Sequence, residues 1–451
     1  MMRATFTLAA RYRVRAQCAA PLRTGNADAD PESVLWDSQG RALLQGSSIA
    51  GALRSYLTAR ETPEIVEGLF GSAPPSEENQ GGPKRAGRLS VSDGVFDAGA
   101  IPVVRPRLKI DGQSGSAKDG AKFDMAHMPT DSAFEFTLTW LGSEERKGEL
   151  ETVESMLTAL HQGEIRLGAQ KTNGFGQVRL LTVKKWKYQL SKAADRDAWL
   201  EGRANDETLL TLSDSDSVPR QDVIFRVRGR FDSLLVKGGV KLEKAAKSEQ
   251  SDQEASRSYT AHLRENDAPV LPGSSVKGAV RARAEMIASY LKPHESLTRE
   301  LFGYAPEDDT GGVPGKVIFE DVTFPEAANG NQVRKIRRIR INRFTAGVIQ
   351  QSGPFAEETV SGAAELRIRV PSDCGAGCAL ILYALRDLGL GLYNLGSGGA
   401  VGRGRLLTQS VTAEAPGHSP MELTFDKNGV RSVSDPDGLF ARWREAWEAY
   451  V

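Results

Sequence analysis

Two phrases recur in this 451-residue chain at almost the same offset. Leu44–Leu53 reads LQGSSIAGAL and Leu271–Val280 reads LPGSSVKGAV; LGAQKTNGFGQVRL from Leu167 is answered by LGSGGAVGRGRLL from Leu395. The shifts are 273 − 46 = 227 for the GSS glycines and 395 − 167 = 228 for the glycine-rich stretches. Between these anchors GLFGSAP (Gly68–Pro74) matches ELFGYAP (Glu300–Pro306), and LSVSDGVF (Leu89–Phe96) matches VIFEDVTF (Val317–Phe324). RLKIDGQSG from Arg107 matches RIRINRFTAG from Arg338, and the order is the same in both copies. Such self-similarity means a duplicated domain, which divides the length into two folds of about 190 residues each.

Charge sorts what these folds can bind. The chain carries 58 basic and 58 acidic residues, so its net charge is zero. The balance is not uniform: Val333–Arg343 (VRKIRRIRINR) holds six basic residues and no acidic one, and Arg105, Arg107 and Lys109 alternate in the matching place of the first copy. A basic stripe on a neutral protein suits a defined nucleic-acid groove rather than a general polyanion coat. No 18-residue apolar run and no basic-then-apolar leader occur, so a cytoplasmic protein without a membrane partner is expected. Cys374 and Cys378 form a CxxxC pair without a second pair or adjacent histidines, which argues against structural zinc and for ordinary thiols in a reducing compartment.

Periodicity gives a coarse fold. Phe6, Leu8, Ala10, Tyr12 and Val14 alternate with Thr7, Arg11, Arg13 and Arg15, as do Val223, Phe225 and Val227 with Arg226, Arg228 and Arg230: half-buried strands with basic outer faces. The serines of each GSS phrase can cap a helix, with Ile49, Leu53, Tyr56 and Leu57 at helical spacing in the first copy. Strands follow at Phe134–Trp140 and Ala364–Val370, and the glycine loops deliver the chain to last strands at Gln177–Leu181 and Arg405–Leu407. This βαββαβ order predicts an α+β fold of two tandem ferredoxin-like (RRM-like) domains. The expected layout is a first domain at 1–185, a charged linker at 186–219, a second domain at 220–410 and a C-terminal extension at 411–451. In that extension Phe440, Trp443, Trp447 and Tyr450 mark an amphipathic helix expected to dock on the second copy.

Each GSS–helix phrase offers backbone N–H groups, hydroxyls and a helix dipole, the ingredients of an anion site. Arg54 and Arg281 follow at the same helical position and suit phosphate contact. No GK[ST] completes a Walker loop. The glycine loops let backbone approach a ligand and supply Lys171 and Asn173 in one copy and Arg403 in the other. NGFGQVRL also mimics an RNA-recognition segment, although the second copy lacks an aromatic at the place of Phe175.

An early GSS–helix phrase with a late glycine-rich loop resembles the RAMP superfamily of CRISPR proteins. The first copy resembles the backbone subunits of type III effector complexes over DPESVLWDSQGRALLQGSSIAGALRS from Asp30 and KIDGQSGSAKDGAKFDMAHMPTDSAFEF from Lys109. The whole chain is similar in layout to tandem fusions of two such subunits in type III-D-like systems. The resemblance implies RAMP domains, each with a thumb hairpin, that bind CRISPR guide RNA, complementary target RNA and other type III effector subunits. It implies guide contacts at Ser47, Ser48, Arg54, Ser274, Ser275, Lys277 and Arg281, joined by Arg107, Lys109, Arg338 and Arg340 of the basic stripes. Thumb tips are implied near Phe123 and Met125, and at Phe355. It further implies target cleavage with Mg2+ or Mn2+ held by a loop aspartate, Asp30 (with Asp28 in reserve), and the RNA 2′-hydroxyl as nucleophile.

The second copy departs from that pattern. Arg257 stands 16 residues before Gly273 where the first copy has Asp30 16 residues before Gly46, and about 14 residues are inserted in its first loop (227 against 226 − 13 = 213). Asp252 in the insertion is its candidate acid, and a purely structural second copy is the other reading. For the whole chain the alternatives are a non-catalytic RNA-binding scaffold and a guide-processing endoribonuclease. Against the latter, His127, His161 and His262 occupy unmatched places.

Overall fold

Alternating burial organises both halves. The computed structural model describes residues 6–25, 33–72, 85–110, 117–205, 207–212, 221–243, 257–291, 295–304, 312–325, 330–349 and 355–450. In β1 (Leu8–Cys18), Ala10, Tyr12, Val14 and Ala16 are buried while Arg11, Arg13 and Arg15 take the other face. Phe6, expected to point inward, lies before the strand and is exposed. The chain forms two compact units: Met1–Arg107, Phe123–Lys171 and Phe175–Arg220 make the first, and Leu108–Lys122, Thr172–Gly174 and Gln221–Val451 the second.

The first copy runs α1 (Gly46–Thr58), β2 (Gly94–Phe96), the hairpin β3 (Val103–Ile110) and β4 (Ala117–His127), whose outer residues Leu108–Lys122 group with the second unit, then β5 (Ala133–Gly142), α2 (Glu149–His161) and β6 (Val178–Gln189). Its sheet order is β2–β5–β1–β6, all antiparallel, the ferredoxin-like arrangement. Ile49, Leu53 and Leu57 of α1 share a core with Val153, Leu157 and Leu160 of α2, so both helices cover one sheet face. That is the layered solution an amphipathic helix and a half-buried strand dictate.

Residues 186–205 and 207–212 of the stretch expected to be a charged linker are folded onto the first unit. β6 runs to Gln189, and α3 (Ala193–Leu200) lays Trp199 edge-on to Tyr188 at 5.2 Å between centroids. The Tyr188 hydroxyl donates to the Arg203 carbonyl (2.9 Å), and Leu210 and Leu212 pack on the first core.

The second unit repeats the plan. β7 (Asp222–Leu234) leads into an added hairpin, β8 (Lys237–Glu243) and β9 (Arg257–His262). Then come α4 (Gly273–Leu291), β10 (Ile318–Phe319), β11 (Gln332–Arg338), β12 (Phe355–Pro371), α5 (Gly375–Gly389) and β13 (Leu406–Glu414). The order β10–β12–β7–β13 reproduces the first sheet.

The presumed C-terminal extension belongs to this fold. β14 (Met421–Asp426) and β15 (Gly429–Ser434) widen the sheet, and α6 (Leu439–Ala449) buries Leu439, Trp443 and Trp447. Trp443 meets Phe225 at 5.7 Å and Phe440 meets Tyr383 of α5 at 5.9 Å. Covered on two sides, α5 is apolar around most of its circumference, as its CALILYAL run requires. No helix among the described residues is long and apolar enough to cross a membrane.

Candidate nucleic-acid interface

The GSS helices begin one residue earlier than serine capping would place them. α1 starts at Gly46 and α4 at Gly273, so the serines occupy the first turn. The cap comes from another segment: Gly46 N–H donates to Asp93 Oδ1 and Gly273 N–H to Asp321 Oδ1, both at 2.7 Å. These aspartates sit in the second matched phrase, at an offset of 321 − 93 = 228. Each carboxylate satisfies an orphan donor and faces the positive end of the helix dipole. A side chain at Gly46 would strike the Val91–Ser92 backbone, and one at Gly273 the Phe319 backbone. Glycine here is explained by close packing rather than by a ligand.

Around these caps Ser47 is exposed, and Ser48, Ser274 and Ser275 are half-buried. Arg54 and Lys277 are half-buried, with Ala50 at the place of Lys277 in the first copy. Arg281, the counterpart of Arg54, is held to its own unit: Nε donates to Glu285 Oε1 (2.7 Å) and Nη1 to the Gly303 carbonyl (3.1 Å).

The glycine loops close on themselves and on the end of the first strand. Leu167 N–H donates to Gly176 O (2.8 Å) and Leu395 N–H to Gly404 O (2.9 Å). Gly176 and Gly404 have φ of 85° and 72°, and a Cβ on either would meet the carbonyl of Leu167 or Leu395. Gly176 N–H reaches Pro21 O (2.8 Å) and Gly404 N–H reaches Ser233 O (2.7 Å). Beside this frame Lys171 is half-buried in the short turn Lys171–Asn173, and burial holds its ammonium below the ordinary lysine value.

Between its last two glycines each loop carries a different residue, Phe175 or Arg403 (403 − 175 = 228). Phe175 is 0% exposed, with the Arg105 and Arg107 guanidinium carbons 5.2 and 5.4 Å from its ring centre and the His127 ring at 5.2 Å. It is a core aromatic, so the likeness to an RNA-stacking segment does not carry over. Arg107 also donates from Nη1 to Gln170 Oε1 (3.2 Å). Arg403 is buried, its Nη1 2.7 Å from Glu357 Oε2 without hydrogen-bonding alignment, so the pair is a charge contact rather than a directed bond. Arg403 is therefore committed to the protein.

Both hairpin arms exist. In the first, Phe123 is 47% exposed on β4, whereas Met125 is 2% exposed and belongs to the base, not the tip. Lys109 lies on β3, and its side chain is outside the described residues. In the second, Phe355 opens β12 and is half-buried, with Arg338 and Arg340 guanidinium carbons 5.7 and 6.0 Å from its ring centre. Arg338 also donates to Glu357 Oε2 (3.4 Å).

The tip of that arm is a residue the sequence reading passed over. Phe344 is 99% exposed on a turn in which Asn342 Oδ1 accepts from Phe344 N–H (2.8 Å) and Asn342 N–H donates to Gly347 O (2.9 Å). The legible signal was the asparagine turn within INRFTAG following the arginine run.

Asp28, Asp30 and Asp252 lie outside the described residues. On either side of the first pair the chain is anchored: Ala169 N–H donates to Arg23 O (3.1 Å), and Leu35 N–H to Thr24 Oγ1 (3.1 Å). Asp37 is a turn residue, accepting from the N–H groups of Gln39 and Arg41 and from Arg41 Nε, which hold its carboxyl below the usual range. Among the described residues no group of three or more His, Cys, Asp or Glu could hold a metal ion. Cys18, Cys374 and Cys378 form no disulfide. His161 Nδ1 accepts from Leu180 N–H (3.2 Å) and His262 bridges Val236 N–H (3.3 Å) and Val270 O (3.2 Å), both within their units.

Fold and site together describe a duplicated α+β protein carrying, in each copy, an aspartate-capped GSS helix, a glycine loop and a projecting hairpin. The sequence model of the RAMP superfamily matches residues 15–179 and 257–407, and the chain belongs to that superfamily. RAMP proteins generally work in CRISPR RNA–protein complexes, and some are endoribonucleases. No curated protein matches the chain.

Proposed function

We propose that this chain is a tandem backbone subunit of a type III, III-D-like, CRISPR effector complex, holding guide RNA and the guide–target duplex among other type III subunits. The observation that carries the reading is the second arm: six cations in Val333–Arg343 with no acid, ending at the exposed Phe344. Cations take phosphate charge without reading sequence, which base pairing with the guide supplies. Phe344 has the size and exposure of a wedge between base pairs, and Phe123 is an exposed aromatic on the return strand of the first arm. Ser47, Ser48, Arg54, Ser274, Ser275 and Lys277 are the guide contacts this reading retains, with Lys171 and Asn173 in the glycine loop and Arg340 on the arm. Arg281, Arg338 and Arg403 serve as internal supports.

Target cleavage is assigned to the first unit. Asp30 would hold Mg2+ or Mn2+, which supplies charge neutralisation at the phosphate, and the strand's own 2′-hydroxyl is the nucleophile. In the second unit the matching loop has become the β8–β9 hairpin, which favours a scaffold role there. Asp30→Ala in the assembled complex is expected to abolish cleavage at one position per chain while target binding persists. Unchanged cleavage at every position sinks the nuclease assignment. Absorbance at 260 and 280 nm with sizing of the extracted RNA tests the broader reading, and an assembly purified free of RNA overturns it.

A further inference from the structure

The second arm is wider than the first. Pro21 and Ser233 hold equivalent places beneath the glycine loops at an offset of 233 − 21 = 212, against 227 at the GSS glycines, so 227 − 212 = 15 residues are added between them. That addition is the β8–β9 hairpin, and β9 pairs in parallel with β12, Tyr259 opposite Ala356 and Thr260 opposite Glu357. β12 in turn pairs with β11, so the arm is a four-stranded platform, β8–β9–β12–β11.

Register sorts its faces, because residues directly opposite on neighbouring strands share one side. Val240 pairs with Thr260 and Leu242 with Ser258; Phe355 pairs with Arg338, Glu357 with Ile336 and Thr359 with Arg334. One face therefore presents Val240, Leu242, Ile336 and Phe355 beside Arg334, with Glu357 on the same face held by Arg338 and Arg403. Val240 and Leu242 are 71% and 72% exposed. Beyond this face the arm continues through exposed Ile339, Ile341 and Phe344, interleaved with Arg340 and Arg343.

We propose that this face of the second arm is a binding platform for single-stranded RNA, with bases on Val240, Leu242 and Phe355 and phosphates on Arg334 and Arg340. The inference rests on the reading of the chain as RNA-binding and deepens it, extending the contact of the same arm to single-stranded RNA laid over the added hairpin. Exposed apolar side chains alternating with arginines match a ligand that has flat apolar faces and a repeating negative charge. A protein strand added at the edge fits less well. Of the platform's two edge strands, β8 carries Lys237 and Lys241 and a register break between Lys237 and Gly239, and β11 carries Arg334, Lys335, Arg337 and Arg338, features that blunt strand addition.

The test uses the full chain and a fluorescein-labelled oligouridine of about 15 nucleotides, roughly the span of a single-strand groove. In anisotropy titrations Val240→Ser/Leu242→Ser is expected to bind about tenfold more weakly with an unchanged salt slope, since only stacking surface is lost. Arg334→Ala is expected to lower the salt slope by about one, the signature of a single lost phosphate contact. All these side chains are exposed, and matching thermal melts check that the variants are folded. Unchanged affinity in both variants overturns the proposal. So does a wild-type chain that ignores oligouridine while the assembly still carries guide RNA, and that outcome leaves the broader reading standing. A double variant that keeps RNA but loses a co-purifying subunit makes the face a protein seat and also overturns it.

Discussion

At one loop position the two units hold their cores together with opposite chemistry. Phe175 in the first is packed under Arg105, Arg107 and His127, whereas Arg403 in the second is set against the carboxylate of Glu357. The outer sheet faces repeat the exchange. Exposed Arg13 lies over the Trp186 ring at 5.6 Å with Glu135 3.5 Å from its Nε, while its counterpart, half-buried Arg226, donates to Glu414, the residue at the place of Trp186 (414 − 186 = 228), at 2.8 Å. A buried or half-buried guanidinium needs a partner, and either a π face or a carboxylate serves. What stayed the same is the backbone machinery: the aspartate caps, the close-packed glycines and the loop closures. Side-chain partners exchange freely when a neighbour changes with them; a carbonyl pressed against a glycine has no substitute.

The sharpest way to break this comparison is to exchange one partner alone. Phe175→Arg places a cation among Arg105, Arg107 and His127 and is expected to cost the first unit about 4 kcal/mol in denaturant unfolding, the scale of a lost core aromatic. Glu357→Ala leaves Arg403 buried and unanswered, with an expected loss of about 3 kcal/mol in the second unit. Equal tolerance of both changes would mean that the position is not a core site.

Acid should separate the units next. His262 is neutral in the fold: burial pushes its pKa from 6.5 down to about 4, with Val236 N–H and Val270 O as ring partners. The unfolded chain therefore takes up the proton first. The stability this group protects is complete above about pH 6.5 and falls by about 3 kcal/mol as pH drops to 4. Urea titrations at both pH values, with His262→Gln as control, check it; a wild-type slope no steeper than the variant's refutes the assignment.

The aspartate caps should give the smallest effect, and the same effect twice. Asp93→Ala and Asp321→Ala are each expected to destabilise their own unit by about 1 kcal/mol, since the two N–H donors are capped at the same distance. A clear difference between them would show that the helix starts have diverged despite their matching geometry.

Much of this was legible because duplication is written in linear order. The strand alternation around Tyr12 and Phe225, the ferredoxin-like order and the basic arm follow from periodicity and composition. The helix cap was half legible: SDG and EDV stood in matched phrases, but no local rule links an aspartate to a glycine 47 residues earlier. Met125 was misread as a tip because apolar residues on an arm look alike whether they face its base or solvent. The linker was misread for a related reason: its charge suggested independence, while Tyr188 and Trp199 tie it to a core. The C-terminal aromatics were legible as a helix docked on the second copy, and Trp443 and Trp447 lie in its core.

The sequence by itself determined that there are two copies of one fold, the order of their helices and loops, and which arm is basic. Each of these is a local or periodic property, readable without knowing what lies opposite. Only the tertiary structure decided the roles of individual charges. Arg403 and Arg281 are spent inside the protein and Phe344 stands alone at a tip, because pairing and exposure depend on residues brought together by folding.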